Sequence, residues 1–134
     1  MLANELHLPF FINNAYQGLA RAKGILHTSS DRIHLEYQIS DALVGLLKSD
    51  SKDVYLPIED LLELSFQSNI FQSKLTIMVA SLETSESLPK SAKGKAGEIV
   101  LRIDRKDREK AKRVVSRMNL LSSDYRARRS EDDF

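Results

Sequence analysis

Three histidines, His7, His27 and His34, are the only imidazoles in the chain. A metal site built from them needs two or three to converge on one point. His27 and His34 flank the polar turn at 27–31, HTSSD, and can meet across it beside Asp31. His7 lies far earlier and supplies no evident third ligand, so exposed strand histidines are the simpler reading and no metal is expected. Zero cysteine excludes a disulfide framework, cysteine-based zinc sites and thiol catalysis. There is no Gly-x-Ser-x-Gly elbow for a serine nucleophile. Lys93-Gly94-Lys95-Ala96-Gly97 holds two glycines, but no helix with Ser or Thr follows to complete a phosphate loop. The acidic pairs Glu59-Asp60 and Asp132-Asp133 fall in a turn and at the chain end, where water solvates them; acid–base catalysis needs carboxylates in a cleft. The expected protein is not an enzyme and carries no cofactor.

Charge is the next chemical signal. The 20 basic and 19 acidic residues leave a formal charge of +1. That balance conceals a division. Residues 1–87 hold 6 basic and 11 acidic side chains, residues 88–129 hold 14 and 5, and residues 130–134 add three acids. A basic segment attracts acidic or phosphate-bearing partners, less strongly as salt rises. Arg105, Lys106, Arg108, Lys112 and Arg113 form the candidate partner-binding set. Cations in the first turn of a helix oppose its dipole, so Arg105, Lys106 and Arg108 are not placed for helix stability alone. The plainer alternative is the solvated face of an amphipathic helix. The acidic end, Glu131 to Asp133, is expected to contact this basic helix.

These residues need elements to place them. A chain of 134 residues with 42% hydrophobic content suits one folded domain with its own core. Its start lacks the basic and continuous apolar stretches of a secretory signal. Its most apolar run, LTIMVASL at 75–82, is far short of the ~20 residues that span a bilayer. A soluble cytoplasmic protein is therefore expected. The best alternation is RIHLEYQIS, with Ile33, Leu35, Tyr37 and Ile39 on one side and Arg32, His34, Glu36 and Gln38 on the other. It reads as a half-buried strand, paired in a hairpin with a strand over 19–28. Shorter strands are expected over 54–56, 62–66, 75–79 and 99–103. DALVGLLK, at 41–48, reads as a strand, with a short capped helix as the alternative. Residues 83–97 read as a long mobile loop. Asp104 suits an N-cap, with Ala111, Val114, Val115, Met118 and Leu121 forming one apolar helical stripe. Asp104–Arg108 and Glu109–Arg113 have the spacing of helical ion pairs. Residues 1–18, with Pro9 and Asn13-Asn14, read as an arm, 19–121 as the domain, and 122–134 as a disordered tail.

About seven short antiparallel strands followed by one amphipathic helix suggest a barrel or orthogonal sandwich whose opening the helix closes. On this order, and on VYLPIEDLLELSFQ at 54–67 followed by KLTIMVAS at 74–81, the chain resembles the pleckstrin-homology-like superfamily, in its bacterial and GRAM-type branch. The matching positions are Leu56-Pro57, Leu61 and Leu64. Eukaryotic members of that superfamily usually carry a Trp in the terminal helix; this chain has none, and Val115 or Met118 is expected to fill that space. The resemblance implies a ligand site made by three loops opposite the helix, mapped onto 27–32, 48–53 and 89–97. The candidate ligand-binding residues are Lys23, Arg32, Lys48, Lys52, Lys90, Lys93 and Lys95. His34 stands where the phosphoinositide pattern has a second strong base, and Asp31 opposes a polyphosphate. The expected function is a non-catalytic module that binds protein partners or itself. The alternative is peripheral binding to anionic lipid or another anionic ligand through the basic loops. A nucleic-acid partner is not expected, because the basic region has only Tyr125 for stacking.

Overall fold

The computed structural model describes residues 5–15, 20–41, 51–70, 73–86, 88–89 and 92–132. Alternating side chains build seven strands: β1 (His7–Ala15), β2 (Ala20–Thr28), β3 (Arg32–Asp41), β4 (Lys52–Pro57), β5 (Leu61–Ser68), β6 (Ser73–Val79) and β7 (Glu98–Arg102). They form one sheet in the order β4-β3-β2-β1-β7-β6-β5, with every neighbouring pair antiparallel. A short helix, α1 (Leu82–Glu86), follows β6, and a 25-residue helix, α2 (Arg108–Asp132), closes the chain. The fold is thus mainly β with a C-terminal helix, the class expected from the sequence and the layout that the pleckstrin-homology-like resemblance implies.

The two outermost strands, β4 and β5, are joined only by the 3-10 turn Ile58–Asp60. Strands at opposite ends of one sheet are thereby tethered together, so the sheet must curl back on itself. Its concave side is the core. Leu8, Phe10 and Ile12 of β1, Leu26 of β2, Ile33 and Leu35 of β3, and Leu75 and Ile77 of β6 are all buried there. Gly24 belongs to this inner side. A Cβ at that position would meet the backbone oxygen of Glu36, and would come within 2.7 Å of both Phe10 and Tyr37. The absence of a side chain lets those two rings flank β2. Helix α2 lays its stripe across the curled sheet and buries Ala111, Val114 and Met118 completely. Asp104 caps the entry as expected, accepting from Lys106 N–H at 3.2 Å, although a 3-10 turn, Arg105–Asp107, precedes the α-helix.

Several readings of the sequence need correction. Residues 7–15 are not an arm but strand β1, between β2 and β7. Leu8, Phe10 and Ile12 face inward while His7, Pro9 and Phe11 face outward. A proline is normally kept out of central strands because it lacks the N–H for the ladder. Here β1 pairs with β7 only at Phe11↔Arg102, so Pro9 lies beyond that ladder. The tail is not disordered through 122–132: α2 continues to Asp132. Ser122 and Arg126 turn toward the sheet and use hydrogen bonds where an apolar period would be expected. A helix this long also carries Glu131 and Asp132 away from Arg105 and Arg108, roughly 1.5 Å per residue, so the acidic end does not fold back on that basic segment. The segment at 41–48, read as a strand, lies outside the described residues after Asp41, and the seventh strand is β1 instead. Within α2, Glu109 pairs with Lys112 at 3.4 Å rather than with Arg113. No helix among the described residues is long and apolar enough to cross a membrane.

Candidate interaction face

The convex side of β1–β4 collects the outward members of four strands. Register places His7 opposite His27, His27 opposite His34, and His34 opposite Tyr55. Every histidine of the chain therefore stands in one cross-strand row, completed by a tyrosine. Side chains directly opposite on one face of an antiparallel pair lie within contact distance. His27 and His34 stack with centroids 5.1 Å apart, and His34 stacks on Tyr55 at 4.5 Å and 14°. His7 meets His27 edge-on at 4.9 Å. The guanidinium of Arg32 sits 4.7 Å from the Tyr55 ring centroid, a cation–π contact.

Hydrogen bonds fix the rings. His34 Nε2 lies 2.7 Å from Asp53 Oδ1, and His27 Nε2 lies 3.3 Å from Glu36 Oε1. A carboxylate only accepts, so both Nε2 atoms carry a proton. His7 Nδ1 and His27 Nδ1 face each other at 2.7 Å. One proton must lie between them. With neutral rings, His27 already holds its proton on Nε2, so His7 donates from Nδ1. The row is thus a relay, His7 to His27 to Glu36, beside a separate His34–Asp53 pair. Glu36 also accepts from Ser51 Oγ at 3.3 Å. The carboxylates are not the Asp31 expected beside the turn, which instead accepts from Ser29 Oγ at 2.9 Å. Among the described residues, no group of three or more His, Cys, Asp or Glu side chains is arranged to hold a metal ion.

Around the row, three apolar or aromatic side chains are exposed among polar ones. Tyr55 is 47% exposed and Ile25 39%, and Pro9 is also exposed. Two shallow cavities lie on either side of Lys23. One, about 390 Å³, is lined by Ile25, Glu36, Gln38 and Ser51. The other, about 460 Å³, runs between Phe11 of β1 and Lys106. Asp107 lines it too, and its Oδ2 is enclosed without a hydrogen-bond partner among the described residues.

The basic candidates are distributed differently from the expected three-loop site. The 27–32 turn joins β2 to β3, whereas residues 42–51 join β3 to β4. The first lies at the Arg32 end of the ten-residue strand β3, and Asp41 ends that strand roughly 30 Å away. With β1 counted as a strand, 27–32 is the β2–β3 turn and not the β1–β2 connection, while 48–53 and 89–97 still fall between β3 and β4 and between β6 and β7. The 89–97 segment belongs to the end that holds the 27–32 turn: Ile58 N–H bonds Asp31 O, Ala80 N–H bonds Asp60 O, and Val79 N–H bonds Gly97 O. Arg32, Lys93 and Lys95 thus share an end of the sheet, whereas Lys52 pairs with Tyr37, midway along β3 and roughly 17 Å from Arg32. Lys52 also follows the inward alternation of Val54 and Leu56. Lys93 reaches Glu86 O at 3.5 Å, and Lys95 donates its backbone N–H to Glu98. Lys48 and Lys90 lie outside the described residues. Lys23 and Lys106, read as members of two separate sets, border one cavity. Arg105, Arg108, Lys112 and Arg113 are exposed along the start of α2 and its preceding turn.

The sheet edge at β5 is treated in the opposite way. Asn119 Oδ1 accepts from Leu64 N–H at 2.8 Å while its Nδ2 donates to Leu64 O at 2.9 Å. One amide side chain thus reproduces the pairing a further strand would give. Ser122 donates to Leu61 O at 2.8 Å, and Arg126 Nη1 reaches Leu61 O and Leu62 O. Strand addition at β5 is therefore blocked by α2.

No model of a known protein family matches the chain, and no curated protein matches its sequence.

Proposed function

We propose that the chain is a non-catalytic interaction module of pleckstrin-homology-like type, and that it binds a protein partner through the convex face of β1–β4. One observation carries this reading: four rings, His7, His27, His34 and Tyr55, stand in contact across four strands on the outside of the sheet. Outer strand faces are ordinarily clothed in separated polar side chains. Ordering rings there gives a rigid platform with little side-chain entropy left to lose, the property that places tyrosine and arginine in interface centres. Exposed Ile25 and Pro9 extend it, and Arg32 over Tyr55 gives it a charged rim. Lys52 stands opposite Tyr37, away from Arg32 at the end of β3, which argues against one headgroup pocket and so favours protein over lipid.

The test is photo-crosslinking in native extract with a benzophenone amino acid in place of Tyr55, and in place of exposed Glu63 on β5 as a control. Discrete adducts from position 55 alone are expected. Adducts of the same pattern from both positions, or none from 55, would overturn the reading. Cosedimentation with vesicles containing phosphatidylserine tests the alternative, and salt-sensitive retention without adducts at 55 would favour it. A mass measurement tells a second copy from a different partner.

A further inference from the structure

The facing Nδ1 atoms of His7 and His27 impose a limit on how many protons the row can hold. We propose that this pair is a proton-operated latch on the leading edge of β1, closed with one proton between the rings and opened when each Nδ1 carries its own. The opening follows from the geometry alone. That it regulates partner binding rests on the interaction-face reading above.

Two closed states exist. In the first both rings are neutral, His7 donates from Nδ1, and His27 donates from Nε2 to Glu36. In the second one proton is added: His27 is protonated on both nitrogens, and its Nδ1–H donates to His7, which now keeps its proton on Nε2. Either state leaves one hydrogen between atoms 2.7 Å apart. A second added proton leaves two N–H groups pointing at each other on two cations. The hydrogen bond is lost and like charges repel. The latch is thus closed while the two rings share at most one added proton and opens when they carry two, a state that acidification favours.

The carboxylates that bond histidines of the row do so at Nε2, not at the facing Nδ1 atoms of His7 and His27. From β3, Glu36 holds the far nitrogen of His27, and His34 is held by Asp53 from β4. Arg32 lies over Tyr55, and Asp31 is engaged by Ser29. On β2, Lys23 is two outward positions from His27, and on the chain before β1, Glu5 is exposed ahead of His7. The start of β1 is paired with β2 alone, because β1 meets β7 only at Phe11↔Arg102. Directly beside the latch, Leu6 N–H donates to Thr28 Oγ1 at 2.9 Å and Thr28 N–H donates to Leu6 O at 3.0 Å. Opening should loosen this pair first.

The experiment is amide hydrogen exchange at Leu6 and Thr28, corrected for intrinsic rates, at about pH 7.5 and about pH 5. In the unaltered protein, protection of both should fall about tenfold on acidification, the order set by two unit charges at this spacing in water. His7→Gln supplies the decisive variant. A glutamine amide can accept from a charged His27 or donate to a neutral one, so its protection should not change between the two pH values. Unchanged protection in the unaltered protein would overturn the latch. So would an equal loss in His7→Gln, which would place the acid sensitivity elsewhere. Crosslinking from position 55 at both pH values separates the two claims. Adducts that fade at about pH 5 in the parent and persist in His7→Gln support regulation. Absent adducts with the predicted exchange leave the latch standing and remove the interaction face.

Discussion

The β5 edge and the convex face of β1–β4 use polar side chains to opposite ends. At β5, Asn119, Ser122 and Arg126 spend their hydrogen bonds on strand backbone, and Met118 and Val114 beside them are fully buried. On the convex face, polar side chains bond chiefly to each other, and the apolar surface among them stays open. The first region completes the fold. The second adds order to a surface that the fold itself does not need. Polar contacts to backbone at an edge read as structure, whereas ordered rings that cover nothing read as a surface prepared for something else.

The comparison breaks most visibly at Met118. It is fully buried where α2 crosses the sheet, so Met118→Ala should cost about 2–5 kcal/mol through lost transfer energy and an unfilled cavity. Urea unfolding should show it as a lower midpoint with little change in slope. Removing residues 122–134 should cost less, about 1–3 kcal/mol, because water replaces part of what Ser122 and Arg126 give the carbonyls of Leu61 and Leu62. A disordered tail would be removed without effect, so unchanged stability would contradict the helix over this stretch.

Legibility in the sequence follows the same division. The β3 alternation was readable because Ile33, Leu35, Tyr37 and Ile39 form a strict period. The N-cap at Asp104 and the stripe through Ala111, Val114 and Met118 were readable for the same local reason. Strand β1 was obscured by Pro9 and the asparagine pair, although Leu8, Phe10 and Ile12 alternate. The last turns of α2 were hidden because Ser122 and Arg126 contact the sheet through polar atoms, which leave no apolar period. The imidazole row was half visible: His27 and His34 are symmetric about their turn, so a hairpin pairs them. His7 joins only once β1 is recognised as a strand, since the β1–β2 register then sets it opposite His27. The same omission displaced the first of the three mapped loops, 27–32, which joins β2 to β3 rather than β1 to β2.

Asn119→Ala sharpens the comparison at a single side chain. It leaves Leu64 N–H and C=O without their partner at a half-buried position, a loss of about 1–3 kcal/mol. It should also uncover an edge able to pair with another strand, so concentration-dependent association by light scattering should accompany the loss. A variant that is destabilised but strictly monomeric would show that the remaining contacts of α2 suffice to block the edge.

Tyr55→Ala should have the smallest effect on stability and the largest on binding. The ring is 47% exposed, stacks on His34 and lies under Arg32, but buries little against the core. Surface substitutions of this kind change stability by about 0.5 kcal/mol or less, and loss of one cross-strand aromatic pair adds at most about 1 kcal/mol. Partner binding, followed as crosslinks from a benzophenone residue at Ile25, should fall at least about tenfold, the scale for truncating an aromatic anchor. The two readouts need to separate. A stability loss as large as that of Met118→Ala, with binding reduced in proportion, would mean that the ring row is one more structural brace, and the distinction between the two regions would fall.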